Sequence, residues 1–178
     1  MKRLLIAFVA VLFFYSCDNS TTVAGSEEDN MAARNTEHVK AIFKAIETGD
    51  VSAVDTLLTE DFIDHNANMD GSDIVGKDSV KAMLSKIHTY FDGLKVEYIS
   101  DATSEDGTYH YALSRMTGTA KENPWGMPVG MKMDDSSVDV IKIRDGKAAE
   151  HWGFLSWGDI NEMMKGMAPP AATDTTKK

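Results

Sequence analysis

The chain has 178 residues, and its 28 acidic residues against 18 Lys and Arg give a formal net charge of −10 at pH 7. An acidic surface repels phosphate backbones, so we expect no nucleic-acid binding. Cys17 is the single cysteine, which excludes an intramolecular disulfide.

Residues 1–16 have the pattern of a secretory signal peptide. A short basic start, Met1–Arg3, precedes the apolar run Leu4–Phe14 and the small residue Ser16. The run is too short for a standard membrane-spanning helix. The position of Cys17 resembles the bacterial lipobox, which implies cleavage before Cys17 and lipid attachment to it. The alternative is a non-lipidated signal. We expect export and lipid anchoring of Cys17 to a membrane of the bacterial cell envelope.

Composition divides the rest of the chain into three parts. Residues 17–32 are polar and without an apolar period, which predicts a flexible tether. Residues 168–178 contain a Pro-Pro pair and small polar residues, which predicts a disordered tail. Residues 33–167 remain as one domain, long enough to bury a core.

Apolar residues recur at helical spacing in three segments of the first half. Gly49 ends the first helix, Asp50 caps the second, and Asp78 caps a third that Gly93 closes. Between the second and third helices, Phe62–His65 is predicted as extended and Asn66–Gly76 as a loop. The predicted buried faces are Val39, Ile42, Phe43 and Ile46; Val54, Leu57 and Leu58; and Val80, Met83, Leu84, Ile87 and Phe91.

The period changes to that of strands after Gly93. Asp106-Gly107 and Asp145-Gly146 are typical of hairpin turns. Helices followed by antiparallel strands indicate an α+β domain. The predicted strands cover 94–100, 108–119, 131–143 and 147–157, and a terminal helix covers 159–167.

A set of short motifs resembles a known family. They are Asp64-His65, Gly126–Gly130, Val138–Ile141, Asp145-Gly146-Lys147 and Glu150-His151-Trp152. In order and spacing they resemble the SnoaL-like branch of the nuclear-transport-factor-2-like superfamily. The resemblance implies a cone, with a curved antiparallel sheet wrapped around N-terminal helices and a pocket inside. It also implies pairing through the outer face of the sheet, so a homodimer is expected. Because this fold hosts cyclases, isomerases, hydrolases and binding domains, it does not decide the function.

Two residues are the candidate catalytic pair. Asp139 shares a strand face with Ile141 and Ile143, and a carboxylate in such an apolar setting is a candidate general acid or base. The alternative is a structural Asp139 at the open end of the cone. In the family the position of His65 commonly points into the cavity, where an imidazole relays a proton or orients a ligand. The alternative is a core histidine with a backbone partner.

Glycine replaces an expected catalytic acid. The resemblance implies an aspartate directly after the His151-Trp152 pair, and this position is Gly153. A second family aspartate corresponds to Ser156. Glycine transfers no proton, so the cyclase mechanism is not inherited by motif. It also removes volume, which would widen the cavity or ease a bulge.

Strand alternation assigns the pocket wall and the outer face. On the second strand His110, Ala112, Ser114 and Met116 are predicted to face the pocket, and Tyr109, Tyr111, Leu113 and Arg115 a dimer surface. No metal site and no cofactor are expected, because the histidines are scattered and the methionines have core spacing. The predicted ligand-binding residues are His65, His110, Met116, Trp125, Met127, Asp139, His151 and Trp152.

Three functions remain open at this point. The first is a lipid-anchored domain that binds a small apolar or amphipathic molecule. The second is an isomerase, cyclase or hydrolase that uses His65 and Asp139 for proton transfer. The third is an association module that uses the outer face of the sheet.

Overall fold

The structure is a computed structural model that describes residues 27–65, 67–68, 70–122 and 126–167. Cys17 and Trp125 lie outside these residues, so their predicted roles stay predictions. Among the described helices none is long and apolar enough to cross a membrane. The elements are α1 (Glu27–Thr48), α2 (Val54–Leu57), β1 (Leu58–His65), β2 (Ile74–Val75), α3 (Lys77–Ile87), β3 (Phe91–Thr103), β4 (Tyr109–Ala120), β5 (Lys132–Arg144), β6 (Lys147–Leu155) and α4 (Trp157–Met167).

The six strands form one curved, unclosed sheet in the order β2-β1-β6-β5-β4-β3. Strands β3 to β6 form an antiparallel meander, and β1 joins it parallel to β6. The turn between β5 and β6 is tight because Asp145 and Gly146 both adopt positive φ, at 52° and 73°. The α+β cone expected from the sequence is confirmed.

Helices α1 and α3 pack on the concave side of the sheet and supply the core. Val39 and Phe43 of α1 cluster with Ala112 of β4 and Ile141 of β5. A larger cluster joins α2, α3, β1 and the end of the sheet near Phe91. Burial of these apolar faces drives the packing of both helices on the sheet. The buried members of the larger cluster are Ala45, Val54, Leu57, Leu58, Phe62, Val80, Leu84, Ile87, Phe91, Leu94, Ala120, Met127 and Met133.

The third helix is shorter than its apolar spacing predicts. It ends at Ile87, a 3-10 turn follows, and Phe91 already lies in β3, where it pairs with Ala120 of β4. The side chain of Phe91 reaches the core from a helix or from a strand. Burial therefore does not favour the helix, and strand pairing outweighs the helical period here. Gly93 therefore lies within β3 and does not close a helix, and Gly76 takes the N-cap position predicted for Asp78.

The first and last helices both begin earlier than the sequence predicts. Helix α1 begins at Glu27, inside the segment predicted as a tether. Helix α4 begins at Trp157, two residues earlier than predicted, because Ser156 Oγ accepts a hydrogen bond from Asp159 N at 3.1 Å. Helix α1 matters for the site, since its residues from Asn35 to Ile46 contribute to the lining of the cavity.

Candidate functional site

The concave face of the sheet and helices α1 and α3 enclose a cavity of about 460 Å³. That volume is within the range of small-molecule pockets, about 300–1,000 Å³. Most of the lining is apolar, including Ile42, Phe62 and Ile141. The polar residues in the lining are Asn35, His38, Asp64, His65, His110, Ser137, Asp139 and His151.

His151 lies between two carboxylates on the cavity wall. Its Nδ1 is 2.7 Å from Asp64 Oδ1, and its Nε2 is 3.2 Å from Asp139 Oδ1. Asp64 and His151 stand opposite each other on β1 and β6. Asp139 is the diagonal neighbour of His151 on β5, because His151 pairs with Ile141. The register of three adjacent strands therefore assembles an Asp–His–Asp cluster, Asp64–His151–Asp139.

The two carboxylates hold His151 in its charged form. Burial alone would lower the pKa of His151, but hydrogen bonds and opposite charges from Asp139 and Asp64 raise it to about 9. At neutral pH the imidazolium therefore donates one N–H to each carboxylate. Among the described residues no group of three or more His, Cys, Asp and Glu side chains is arranged to hold a metal ion.

Two serines fix the second oxygen of Asp139. Ser114 Oγ donates to Asp139 Oδ2 at 3.1 Å, and Ser137 Oγ lies 3.4 Å from the same oxygen. The serines are themselves 3.0 Å apart, as expected for a pair in register on β4 and β5. The Asp139 carboxylate is thus oriented on both sides, and its remaining lone pairs are the acceptors that it offers to a ligand.

Gly153 borders the same cluster. It pairs with Asp139 in the sheet, and a Cβ at this position would lie 3.8 Å from His151 Cε1 and 3.9 Å from Asp139 Oδ1. The position where the family resemblance places an acid therefore touches the His151–Asp139 contact. In this chain the carboxylate at that part of the wall is the side chain of Asp139, on the neighbouring strand β5.

His65 lies at the edge of the cavity in a different network. Its ring stacks on Trp152 with centroids 4.5 Å apart. Its Nε2 is 2.9 Å from Glu150 Oε2 and its Nδ1 is 3.1 Å from Asp73 Oδ2. Both His65 and Asp139 line the cavity. The histidine that contacts Asp139 is however His151. The catalytic pairing of His65 with Asp139 stays a prediction, and no direct contact between the two is described.

A second set of polar side chains, on α1 and β4, also lines the cavity. Asn35 is 1% exposed, and neither Nδ2 nor Oδ1 of its carboxamide has a hydrogen-bond partner among the described residues. His110 is 1% exposed, and burial lowers its pKa. Burial and the charge of Arg34 also lower the pKa of His38. Unsatisfied buried polar atoms cost about 1–3 kcal/mol each, so Asn35 is costly where it stands.

The predicted ligand-binding residues divide into two sets. His65, His110, Asp139 and His151 line the cavity. Met116, Met127 and Trp152 are not among the residues of its described lining, and their ligand-binding role stays a prediction. Met116 packs against the larger core cluster, and Met127 is a fully buried member of that cluster. Trp152 is on the opposite face of β6 from His151, as strand alternation requires.

Four polar cavity residues, Asn35, His38, Asp64 and Ser137, were missed by the sequence reasoning. Asp64 was part of a family motif but was assigned no role in the cavity, and it faces inward and is buried. The signal was its position two residues after Phe62, since both lie on one face of β1. Asn35 and His38 precede Val39 and Ile42 at helical spacing, which places all four on the inner face of α1.

Solved structures share this fold at low sequence identity. A candidate SnoaL-like polyketide cyclase from Jannaschia sp. CCS1 is 21% identical, with a TM-score of 0.65 over 82% of this chain and 100% of that chain. TsrD from Streptomyces laurentii is 17% identical, with a TM-score of 0.64 over 76% of this chain and 97% of that chain. A candidate polyketide cyclase from Pseudomonas putida KT2440 is 25% identical, with a TM-score of 0.60 over 72% and 96%. No curated protein matches the sequence.

The sequence itself matches a family model. The model describes a SnoaL-like domain and covers residues 39–151, from the middle of α1 to the histidine of the Asp–His–Asp cluster. This match, together with the cone-shaped fold, confirms the resemblance drawn from the motifs. The chain therefore belongs to the SnoaL-like domain family.

Proposed function

We propose that the protein is a lipid-anchored component of the cell envelope that binds a small, mainly apolar molecule in its cavity. The observation that carries the proposal is an apolar cavity of about 460 Å³ with a charged, fully hydrogen-bonded cluster in one wall. Apolar walls supply affinity and a few fixed polar groups supply orientation in such sites. The anchoring is supported by the signal pattern and Cys17 in the sequence.

The Asp–His–Asp cluster specifies which ligand group it meets. Both N–H groups of His151 are already used by Asp64 and Asp139. The atoms left for a ligand are carboxylate oxygens, which accept and do not donate. The matching ligand group is therefore a donor, such as a hydroxyl or an enol.

Titration of the mature chain, residues 17–178 with Cys17→Ser, tests binding without interference from membrane lipid. Hydroxylated apolar compounds, from 1-octanol to 2-naphthol, are added while binding heat is measured. We expect saturable binding at one site per chain. Gly153→Leu projects a side chain into the cavity beside His151 and should weaken binding at least about tenfold. Gly158→Leu on the exposed α4 is the matched control. If none of the compounds shows saturable binding, the proposal is wrong.

A second candidate is proton-transfer catalysis of the cyclase, isomerase or hydrolase type. The observation that favours it is the oriented Asp139 carboxylate beside the His151 imidazolium. Asp139 would take a proton from the ligand as general base, and the positive charge of His151 would stabilise the anionic product state. Asp64 would be a positioning residue. The similar fold of candidate polyketide cyclases supports this class.

Deuterium exchange distinguishes catalysis from binding. A bound β-diketone probe, 2-acetylcyclohexanone, is followed by NMR in D₂O for exchange at its acidic carbon. As a catalyst the protein should accelerate exchange, and Asp139→Asn should abolish the acceleration while binding persists. Ser114→Ala should reduce it less, because Ser137 still contacts the carboxylate. Exchange at the buffer rate would leave binding as the function.

A further inference from the structure

We propose that the cavity contains a second polar subsite, made by Asn35 together with His110, and that the natural ligand is a neutral molecule with a polar group at each end of an apolar body. The ligand group that meets Asn35 and His110, called the far group below, is a hydroxyl or a carbonyl. This inference rests on the proposed function and narrows its ligand class.

Asn35 is the first observation. Asn35 lines the cavity, its carboxamide atoms are shielded from solvent, and neither their donor nor their acceptor is satisfied within the described residues. Buried amides are normally hydrogen-bonded, and an exception requires an explanation. A ligand group that bonds the carboxamide supplies one.

Sheet register gives the separation of the two subsites. His110 of β4 pairs with Ile141 of β5, which pairs with His151 of β6, which pairs with Asp64 of β1. These four residues therefore form one row across the concave face. Adjacent strands are about 4.8 Å apart, so the backbones of His110 and His151 are roughly 10 Å apart. Ile141 lies between them as an apolar floor.

Helix α1 brings Asn35 to the His110 end of this row. Thr36 Oγ1 donates to Asp101 Oδ2, and the same carboxylate oxygen lies 3.4 Å from His110 Nε2. One turn further along the helix, Val39 packs with Ala112 and Ile141. Asn35 therefore covers the His110 end of the cavity.

Charge decides the chemical class of the far group. Burial disfavours protonation of His110, whose Nδ1 is hydrogen-bonded to Thr103 Oγ1 at 2.9 Å. The carboxylate of Asp101 is close by, so an anionic ligand group would meet a like charge. A primary carboxamide both donates and accepts, and it therefore fits a neutral hydroxyl or carbonyl group.

Matched probes test the second subsite. The mature chain with Cys17→Ser is titrated with 1,8-octanediol and with 1-octanol, which differ by one hydroxyl at the far end. The same titrations are made with Asn35→Leu, which removes both amide atoms at similar volume. Asn30→Leu, the same change on an exposed part of α1, is the control.

The wild type should bind the diol about tenfold more tightly than the alcohol. Asn35→Leu should abolish this preference and keep the affinity for 1-octanol, whereas Asn30→Leu should change neither. Equal affinities of the wild type for both probes, or a preference that survives in Asn35→Leu, would overturn the second subsite and leave the proposed function standing. Failure of both probes to bind would overturn the two proposals together. The wild-type comparison decides the matter even if Asn35→Leu folds poorly.

Discussion

Asp64 Oδ1 lies 2.7 Å from His151 Nδ1, and the two residues stand opposite each other on strands that are far apart in the chain. This contact ties the first long strand to the last one. It also explains why His151 is charged at a pH where an ordinary histidine is neutral. The properties of the site therefore depend on Asp64 as well as on the Asp139 carboxylate.

The charge of His151 predicts a pH dependence of stability. Its pKa is raised from 6.5 to about 9 in the folded protein. The stabilisation is therefore fully present below pH 6.5 and is lost as the pH rises through about 9. A shift of this size corresponds to something on the order of 3 kcal/mol. Urea unfolding at pH 6.5 and 9.5 measures the loss, and NMR of the His151 ring should give a midpoint near 9. His151→Gln should remove this part of the dependence; a midpoint near 6.5 would contradict the prediction.

Substitution of Asp64 should be costly although it preserves the shape of the side chain. Asp64→Asn takes a charge from a buried pair and leaves the His151 N–H with a weaker partner, so we expect a loss of about 1–3 kcal/mol. It should also lower the pKa of His151. The control is Asp73→Asn, at the more exposed partner of His65, with an expected change below about 1 kcal/mol. Urea unfolding of the three proteins measures both effects, and equal losses would show that burial of Asp64 is unimportant.

Gly153 should accept a side chain. A Cβ there meets its neighbours at 3.8 and 3.9 Å, which is ordinary contact, so Gly153→Ala should change stability by less than about 1 kcal/mol. Gly153→Asp restores the acid expected from the family resemblance and brings a third carboxylate to His151. The pKa of His151 should then rise above its wild-type value, as measured by NMR, with Gly153→Ala as the steric control. An unchanged pKa in Gly153→Asp would show that this carboxylate points away from His151.

The outer face of the sheet predicts a homodimer. Leu113, Val138 and Phe154 form a row across β4, β5 and β6, and Phe154 is 56% exposed. Such a continuous apolar row favours pairing with a second copy. Phe154→Lys should shift the protein from dimer to monomer in sedimentation equilibrium. The control is Val129→Lys, at a 72% exposed loop position outside this row. A wild type that stays monomeric at high concentration would exclude the dimer.

We expect the proposed membrane anchoring to depend on Cys17. The full chain should fractionate with membranes and carry the mass of a diacylglycerol and an acyl chain on its mature N-terminus. Cys17→Ser should abolish both properties, and Ser20→Ala is the control. Release of the wild-type protein without lipid would show that the signal is of the non-lipidated kind.

Strand alternation made the cavity wall predictable. The inward set His110, Ala112 and Ser114 is almost completely buried, as expected from the period of two, whereas Tyr111 on the outward set is exposed. Asp139, Ile141 and Ile143 share the inner face for the same reason. These assignments needed only that one face of each strand be apolar enough to be recognised as the inner face.

Other parts of the site depend on contacts that local sequence does not contain. His65 is drawn to the cavity edge by Trp152 and Glu150, which belong to a strand that follows it by more than eighty residues. The side of Asp64 was missed because Phe62 and Ile63 are both apolar, so either face of β1 was plausible. The register shift between Leu58 and Ile63 adds to this ambiguity. Asn35 was overlooked because the helical spacing of apolar residues was recognised only from Val39 onward, whereas α1 begins at Glu27.

The parallel pairing of β1 with β6 has a consequence for how the protein is made. Asp64 is in the first long strand and His151 is in the last, so a polypeptide that has not yet produced β6 holds the two carboxylates of the cluster but lacks its histidine. Pairing between such distant segments is slow, because loop closure must precede it. If the chain crosses a membrane unfolded, the cluster assembles on the far side, after the C-terminal part has emerged. The proposed ligand binding would then be restricted to molecules whose transfer across the membrane is complete.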